Sequence, residues 1–143
     1  MRFLLDTSVT IPLLIDCGEK IFAIIPKISL YILDLTIYEA GNSLWKLAYL
    51  LKKISIDDAL EILDILIKLA DKEIISVISF NEIDFSNTLE LAYNKGITVY
   101  DASYITTAEK LKAMIVTEDD KLRKVAQRYV DVIGYGELKQ IIK

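Results

Sequence analysis

The sequence predicts an α/β fold, a central and mostly parallel five-stranded sheet covered by helices on both faces. Short apolar runs alternate with longer segments of helical period from one end of the chain to the other, the pattern of a buried parallel sheet. Hydrophobic residues make up 53% of the 143 residues, enough to build one core in a single domain spanning 1–143. Two Pro and five Gly leave little room for linkers, and no repeat or composition break divides the chain.

The first strand is expected at Arg2–Leu5, an apolar run that ends on Asp6. Thr7 and Ser8 read as the N-cap region of a helix from about Val9 to Asp16, which Gly18 closes. A second, short helix around Glu19–Ile25 is expected to end at Pro26. Leu30–Leu33 reads as strand two, with Asp34 and Thr36 opening a helix over about Leu35–Lys53. On that largely apolar helix Glu39, Asn42 and Lys46 make one narrow polar stripe, with Ser43 beside it. The stripe either lines a cleft or is an ordinary solvated face.

Ser55 with Asp58 resembles a capping box and introduces a helix over about Ile56–Lys72. Between Ala59 and Ala70 only Glu61, Asp64 and Lys68 are polar, too few for a helix with one face on a core. That helix is either buried in a hairpin with its predecessor or forms a protein interface, the second being preferred. Ile74–Ile78 reads as strand three, followed by a helix from Glu82 or Asp84 to Asn94 that Gly96 closes. Asp101 is expected to start a helix reaching about Lys112, before strand four at Met114–Val116. A helix over Asp119–Arg128, strand five at Val130–Ile133 and a terminal helix after Gly134 or Gly136 complete the chain.

Absences narrow the chemistry. With no histidine, Ser-His-Asp and Cys-His catalysis and His-containing zinc sites are excluded. The lone Cys17 can form neither an internal disulfide nor a cysteine–zinc cluster. No apolar run approaches the roughly 18 residues of a membrane span, and Asp6 interrupts the N-terminal apolar stretch too early for a signal peptide. A soluble, cytoplasmic protein is therefore expected, without a membrane partner. The net charge of −4 argues against a generic nucleic-acid coat but not against a nucleic-acid enzyme, since bound cations would reverse the local effect of clustered acids.

Asp6 and Asp119 fall at the C-terminal ends of strands, where parallel sheets bind ligands, and Glu39 and Asp101 fall on helices that follow. Taken alone, Asp6 reads more readily as a capping carboxylate. Taken together, Asp and Glu without histidine are what Mg²⁺ or Mn²⁺ requires, because these hard cations take oxygen ligands.

The stretches FLLDTSV, YEAGNSLWK, YDASYITTAEK and IVTEDDKL occur in that order. Together they resemble the motifs of the PIN domain and, within it, of VapC-type ribonuclease toxins of toxin–antitoxin pairs. The resemblance implies a three-layer α/β/α PIN-like fold and a Mg²⁺- or Mn²⁺-dependent endoribonuclease. It also implies a homodimer, an RNA substrate (tRNA or another structured RNA) and a cognate antitoxin whose tail occupies the active-site groove. Matched position by position, it implies catalytic and metal-holding roles for Asp6, Glu39, Asp101 and Asp119, with Thr117, Ser8 and Asn42 in support. Lys46 could meet a phosphate or stand solvated, and whether Glu118 or Asp120 also ligates stays open. Two rivals are a haloacid-dehalogenase-type phosphatase, disfavoured because Ser8 stands where a second Asp is needed, and a PIN-like RNA-processing or scaffold module with weak or no cleavage.

Overall fold

The computed structural model describes residues 1–23 and 27–143, and its centre is one sheet of five strands. The strands are β1 (Arg2–Leu5), β2 (Ser29–Leu33), β3 (Ile75–Ile78), β4 (Met114–Val116) and β5 (Val132–Ile133), in the order β3-β2-β1-β4-β5. Every pairing is parallel, so the mostly parallel sheet expected from the sequence is parallel throughout. Leu4 sits opposite Tyr31 on one side and Ile115 on the other. The helices are α1 (Thr7–Cys17), α2 (Asp34–Trp45), α3 (Ile56–Asp71), α4 (Phe85–Lys95), α5 (Val99–Leu111), α6 (Asp120–Ala126) and α7 (Tyr135–Ile142).

The period of two along each strand divides the interior into two cores. Phe3, Leu5, Leu30, Ile32, Ile75 and Val116 face α1, α2, α3 and α7. Leu4, Leu33 and Ile115 face the other way, against Tyr104, Ile105 and Ala108 of α5 and Leu122 and Ala126 of α6. Helix, sheet and helix are thus three layers, as the sequence led us to expect. Among the described residues, no helix is long and apolar enough to cross a membrane.

Several boundaries differ from those expected. α1 starts at Thr7, two residues early, because the Asp6 carbonyl already accepts the Val9 and Thr10 amides at 3.2 and 2.9 Å. Gly18–Ala23 forms a 3₁₀ turn; the rest of the segment expected as a helix to Ile25, with Pro26 after it, lies outside the described residues. α2 ends at Trp45 and gives way to a π-helical turn, Lys46–Leu50, and the chain turns away through Lys52 at φ 51° rather than continuing to Lys53. α5 begins at Val99, since the Thr98 hydroxyl caps it by accepting the Asp101 amide at 3.0 Å. Asp101 is therefore in the first turn and not its first residue. α6 runs only over Asp120–Ala126 and β5 is two residues shorter than expected, because 127–131 is spent on the turn between them.

The reading of the apolar helix as a buried one is met in part. α3 buries Ala59, Leu66 and Leu69 against the first core, yet leaves Ile56, Leu60 and Ile67 exposed. Its start is the expected capping box: the Ser55 hydroxyl accepts the Asp58 amide at 3.0 Å and the Asp58 carboxylate accepts the Ser55 amide at 3.2 Å. Ser55→Ala is expected to destabilise the fold by about 1 kcal/mol, read as a lower denaturant midpoint at unchanged slope; an unmoved midpoint would remove the cap from the account.

Candidate active site

β2 and β3 lie to one side of β1, and β4 and β5 lie to the other. The strand order therefore reverses between β1 and β4, and a crevice opens beyond their C-terminal ends. Asp6 is the residue after β1, and Thr117 the residue after β4. Their backbones continue the ladder, the Asp6 amide donating to Val116 O at 3.2 Å and the Thr117 amide to Ile133 O at 3.0 Å.

Asp6 is only 6% exposed, and its side chain caps nothing. Instead Ser8 Oγ donates to its Oδ1 at 2.5 Å and Thr117 Oγ1 donates to its Oδ2. The reading of Asp6 as a capping carboxylate is thus overturned: only its backbone carbonyl opens α1, while its carboxylate is held by Ser8 and Thr117. Burial pushes the Asp6 carboxyl up to about 6, against the hydrogen bonds from Ser8 and Thr117 that favour its charged form, with Asp119 adding repulsion. The Thr117 hydroxyl also accepts the Asp119 amide at 2.9 Å, and Ser8 Oγ accepts the Glu118 amide at 2.9 Å. These two hydroxyls fix the loop that leads from β4 into α6.

On that loop the three consecutive acids take different parts. Asp119 caps α6, its Oδ1 accepting the Lys121 and Leu122 amides at 2.9 and 3.4 Å. Glu118 turns toward the end of β5 and accepts the Tyr135 amide at 2.6 Å. It packs so closely over Gly134 that a Cβ there would lie 2.9 Å from Glu118 Oε1 and 3.3 Å from Arg123 Nη2. Asp120 is the exposed first residue of α6.

Glu39, half-buried on α2, accepts two hydrogen bonds at the same oxygen, Oε1, from Thr7 Oγ1 at 3.2 Å and Tyr104 OH at 2.9 Å. Tyr104 is 2% exposed, and its hydroxyl lies 2.6 Å from Thr36 Oγ1, which in turn accepts the Leu33 amide at 3.3 Å. With that amide bound, the Thr36 proton is free for Tyr104, whose own proton goes to Glu39. Burial, then the Glu39 charge, hold the Tyr104 hydroxyl well above the usual phenol range, so it stays a donor. From the sequence Thr7 and Thr36 read only as helix-opening residues, and Tyr104 has no assigned part. The available signal was spacing, with Tyr104 one helical turn beyond Asp101 and Thr36 one turn before Glu39.

Asp101 is half-buried; burial raises its carboxyl, followed by the charges of Asp119 and Glu39, while Lys121 lowers it. The four acids are thus electrostatic neighbours, and the one ion pair among the described residues, Lys68–Asp64, involves none of them. Asn42 is exposed and lines a cleft of about 410 Å³ with Glu39, Thr7 and Tyr100; Glu39 takes its hydrogen bonds elsewhere. Lys46, exposed, begins the π-helical turn.

An all-oxygen set of this kind has the donor chemistry of a hard divalent cation. Among the described residues, Glu39 Oε2, Asp119 Oδ2 and both Asp101 oxygens are left outside the side-chain hydrogen bonds. No three acids are already grouped as a metal-holding set among those residues, and their mutual repulsion opposes closer approach unless a cation lies between them.

The family model described as PIN domain matches residues 3–128. Exonuclease VapC9 of Pyrobaculum aerophilum is 36% identical over 107 residues, covering 72% of this chain and 71% of its own. Ribonuclease VapC3 of the same organism is 35% identical over 102 residues, covering 70% and 71%. The crystal structure of PAE2754 from Pyrobaculum aerophilum aligns at a TM-score of 0.74 and 30% identity, over 96% of this chain and 86% of that one.

The raised Asp6 carboxyl makes a sign-definite prediction for the protein in chelator. Between about pH 4 and 6 the folded chain holds a proton that the unfolded chain has lost, so this contribution to stability falls as pH rises through that window. Asp6→Asn removes the charge. The unfolding free energy of the variant, relative to the unsubstituted chain, should therefore grow by on the order of 3 kcal/mol from pH 4 to pH 7. A difference that stays flat in urea titrations would contradict the burial cost assigned to Asp6.

Proposed function

The chain belongs to the PIN domain family, and from that premise we propose that it is a Mg²⁺- or Mn²⁺-dependent endoribonuclease, the toxin of a toxin–antitoxin pair. The observation that carries this reading is that Asp6, Glu39, Asp101 and Asp119, the acids of the stretches that resemble the family's motifs, act on one another electrostatically around the β1–β4 crevice, with no ion pair to any of them among the described residues.

Asp6, Glu39, Asp101 and Asp119 would hold the cation. Bound there, it would lower the pKa of a water and offset charge on the oxygens of a phosphodiester. The chain's own residues supply the positioning. Ser8 and Thr117 hold both oxygens of Asp6, and Thr117 ties Asp119 to the same point through its amide. Thr7 and Tyr104 fix one oxygen of Glu39 and leave Oε2 for the crevice. Asn42, on the wall of the Glu39 cleft, would contact RNA rather than brace Glu39. Lys46, at the start of the π-helical turn after α2, would meet a phosphate. Glu118 is committed to Tyr135 and is left out of the ligand set.

The relatives' names include both an exonuclease and a ribonuclease, so the mode of cutting needs its own test. A panel of structured RNAs, tRNA included, and a circular RNA should be cut with Mn²⁺ or Mg²⁺ and spared with chelator. Asp101→Asn should lower the rate at least about a hundredfold. Cutting that spares only the circle would replace the endonuclease by an exonuclease. The second reading, an RNA-processing or scaffold module with weak or no cleavage, draws on the acids not being grouped as they stand. Absence of both cutting and Mn²⁺ binding would favour it.

The partners follow the same reading: a homodimer and an antitoxin protein. The surface best suited to them is the apolar groove of about 520 Å³ between α2 and α3, bounded by Trp45, Ala48, Leu60 and Leu63. Replacing Leu63 and Ile67 with Asp is expected to lower the dimer fraction in sedimentation or to weaken antitoxin binding. A monomeric unsubstituted chain whose antitoxin affinity the variant retains would remove this face from both roles.

A further inference from the structure

The cleft that contains Glu39 and Asn42 shares Leu35, Tyr38 and Tyr100 with a second cleft of about 260 Å³, whose walls include Phe80 and Phe85. Four rings reach solvent there: Tyr38 is 80% exposed, Tyr100 60%, Phe80 65% and Phe85 47%. Tyr38 and Tyr100 each immediately precede a candidate acid, Glu39 and Asp101. The rings are also carried on a pinned frame. The Asp34 carboxylate accepts the Leu35 amide at 2.8 Å and the Phe80 amide at 2.9 Å, tying the start of α2 to the segment before α4. Glu82 accepts the Ser79 amide at 2.8 Å, and Lys110 Nζ donates to the Glu82 carbonyl at 2.5 Å.

Resting on the nuclease reading above, we infer that this aromatic track stacks the unpaired bases of the RNA strand that flank the scissile phosphodiester. The phosphodiester has to reach the acids, so its neighbouring nucleotides pass over the cleft that adjoins them. The chain carries a net charge of −4, and of the charges that act most on Asp101 two are acids, Asp119 and Glu39, and one is Lys121, so phosphate contacts are a poor source of affinity here. Base faces are uncharged and stack on Tyr and Phe at little cost in sequence preference. Stacking requires bases out of a duplex, which commits the substrate to a loop, bulge or free end. Continuity with the cleft that Glu39 lines distinguishes this track from the α2–α3 groove, which contains no candidate acid.

The test uses whichever RNA of the panel is cut, with the unsubstituted chain and Mn²⁺. Tyr38→Ala and Tyr100→Ala should each raise KM about tenfold with kcat changed much less, while Tyr38→Phe and Tyr100→Phe keep the original KM. Single-stranded oligoadenylate should compete for cleavage, and the same strand annealed to its complement should compete less. The rings are exposed, so unfolding is not expected; melting temperatures check this. A KM that the alanine variants leave unchanged would overturn the inference alone and leave the rings to a protein partner. Phe variants as impaired as Ala would overturn it in favour of hydroxyl contacts. If the unsubstituted chain cuts and binds no RNA, the nuclease reading fails and this inference falls with it.

Discussion

A carboxylate buried between two hydroxyls is the constraint on which the site depends. Asp6 follows directly on β1 and α1 begins at once, which leaves its side chain buried at the end of the sheet. Its oxygens are then reached by Ser8, from the first turn of that helix, and by Thr117, from the end of the neighbouring strand. The same hydroxyls accept the amides of Glu118 and Asp119. One buried charge thus fixes the register of β1 against β4, the entry to α6 and the position of a second acid. Burying it is costly, as its raised carboxyl shows.

Much of the architecture was legible in the sequence because its signals are local. Alternating runs gave a parallel sheet, Ser55 and Asp58 gave the start of α3, and Gly96 closes α4 in the left-handed conformation that glycine favours. The boundaries that differ do so for separate reasons. Asp101 follows a short apolar run and so reads as a helix start, but Thr98 is the cap and the helix begins earlier. The π-helical turn after Trp45 leaves no trace in a pattern that fits a longer α-helix equally well.

The candidate site was legible in part, and the division is physical. Asp6 and Asp101 stand out because each directly follows a short apolar run, and Glu39 because it lies on a narrow polar stripe of an otherwise apolar helix. The groups that hold them do not. Tyr104 lies in a helix whose residues from Ala102 to Ala108 are all buried, so nothing in that pattern marks one hydroxyl as aimed at Glu39, which comes from an element 65 positions away. Long-range hydrogen bonds of this kind are set by the packing of α5 over the sheet, and single-sequence periodicity carries no record of them.

Gly134 has an unusual reason for lacking a side chain. Its backbone, at φ −94°, is open to any residue, so conformational freedom does not explain it. The space where a Cβ would go is filled by the Glu118 carboxylate and the Arg123 guanidinium, and Arg123 in turn donates to Thr117 O at 2.8 Å. A methyl group at 134 would therefore displace the outer atoms of two flexible side chains, so that Glu118 gives up the Tyr135 amide or Arg123 loosens the carbonyl next to the hydroxyl that holds Asp6.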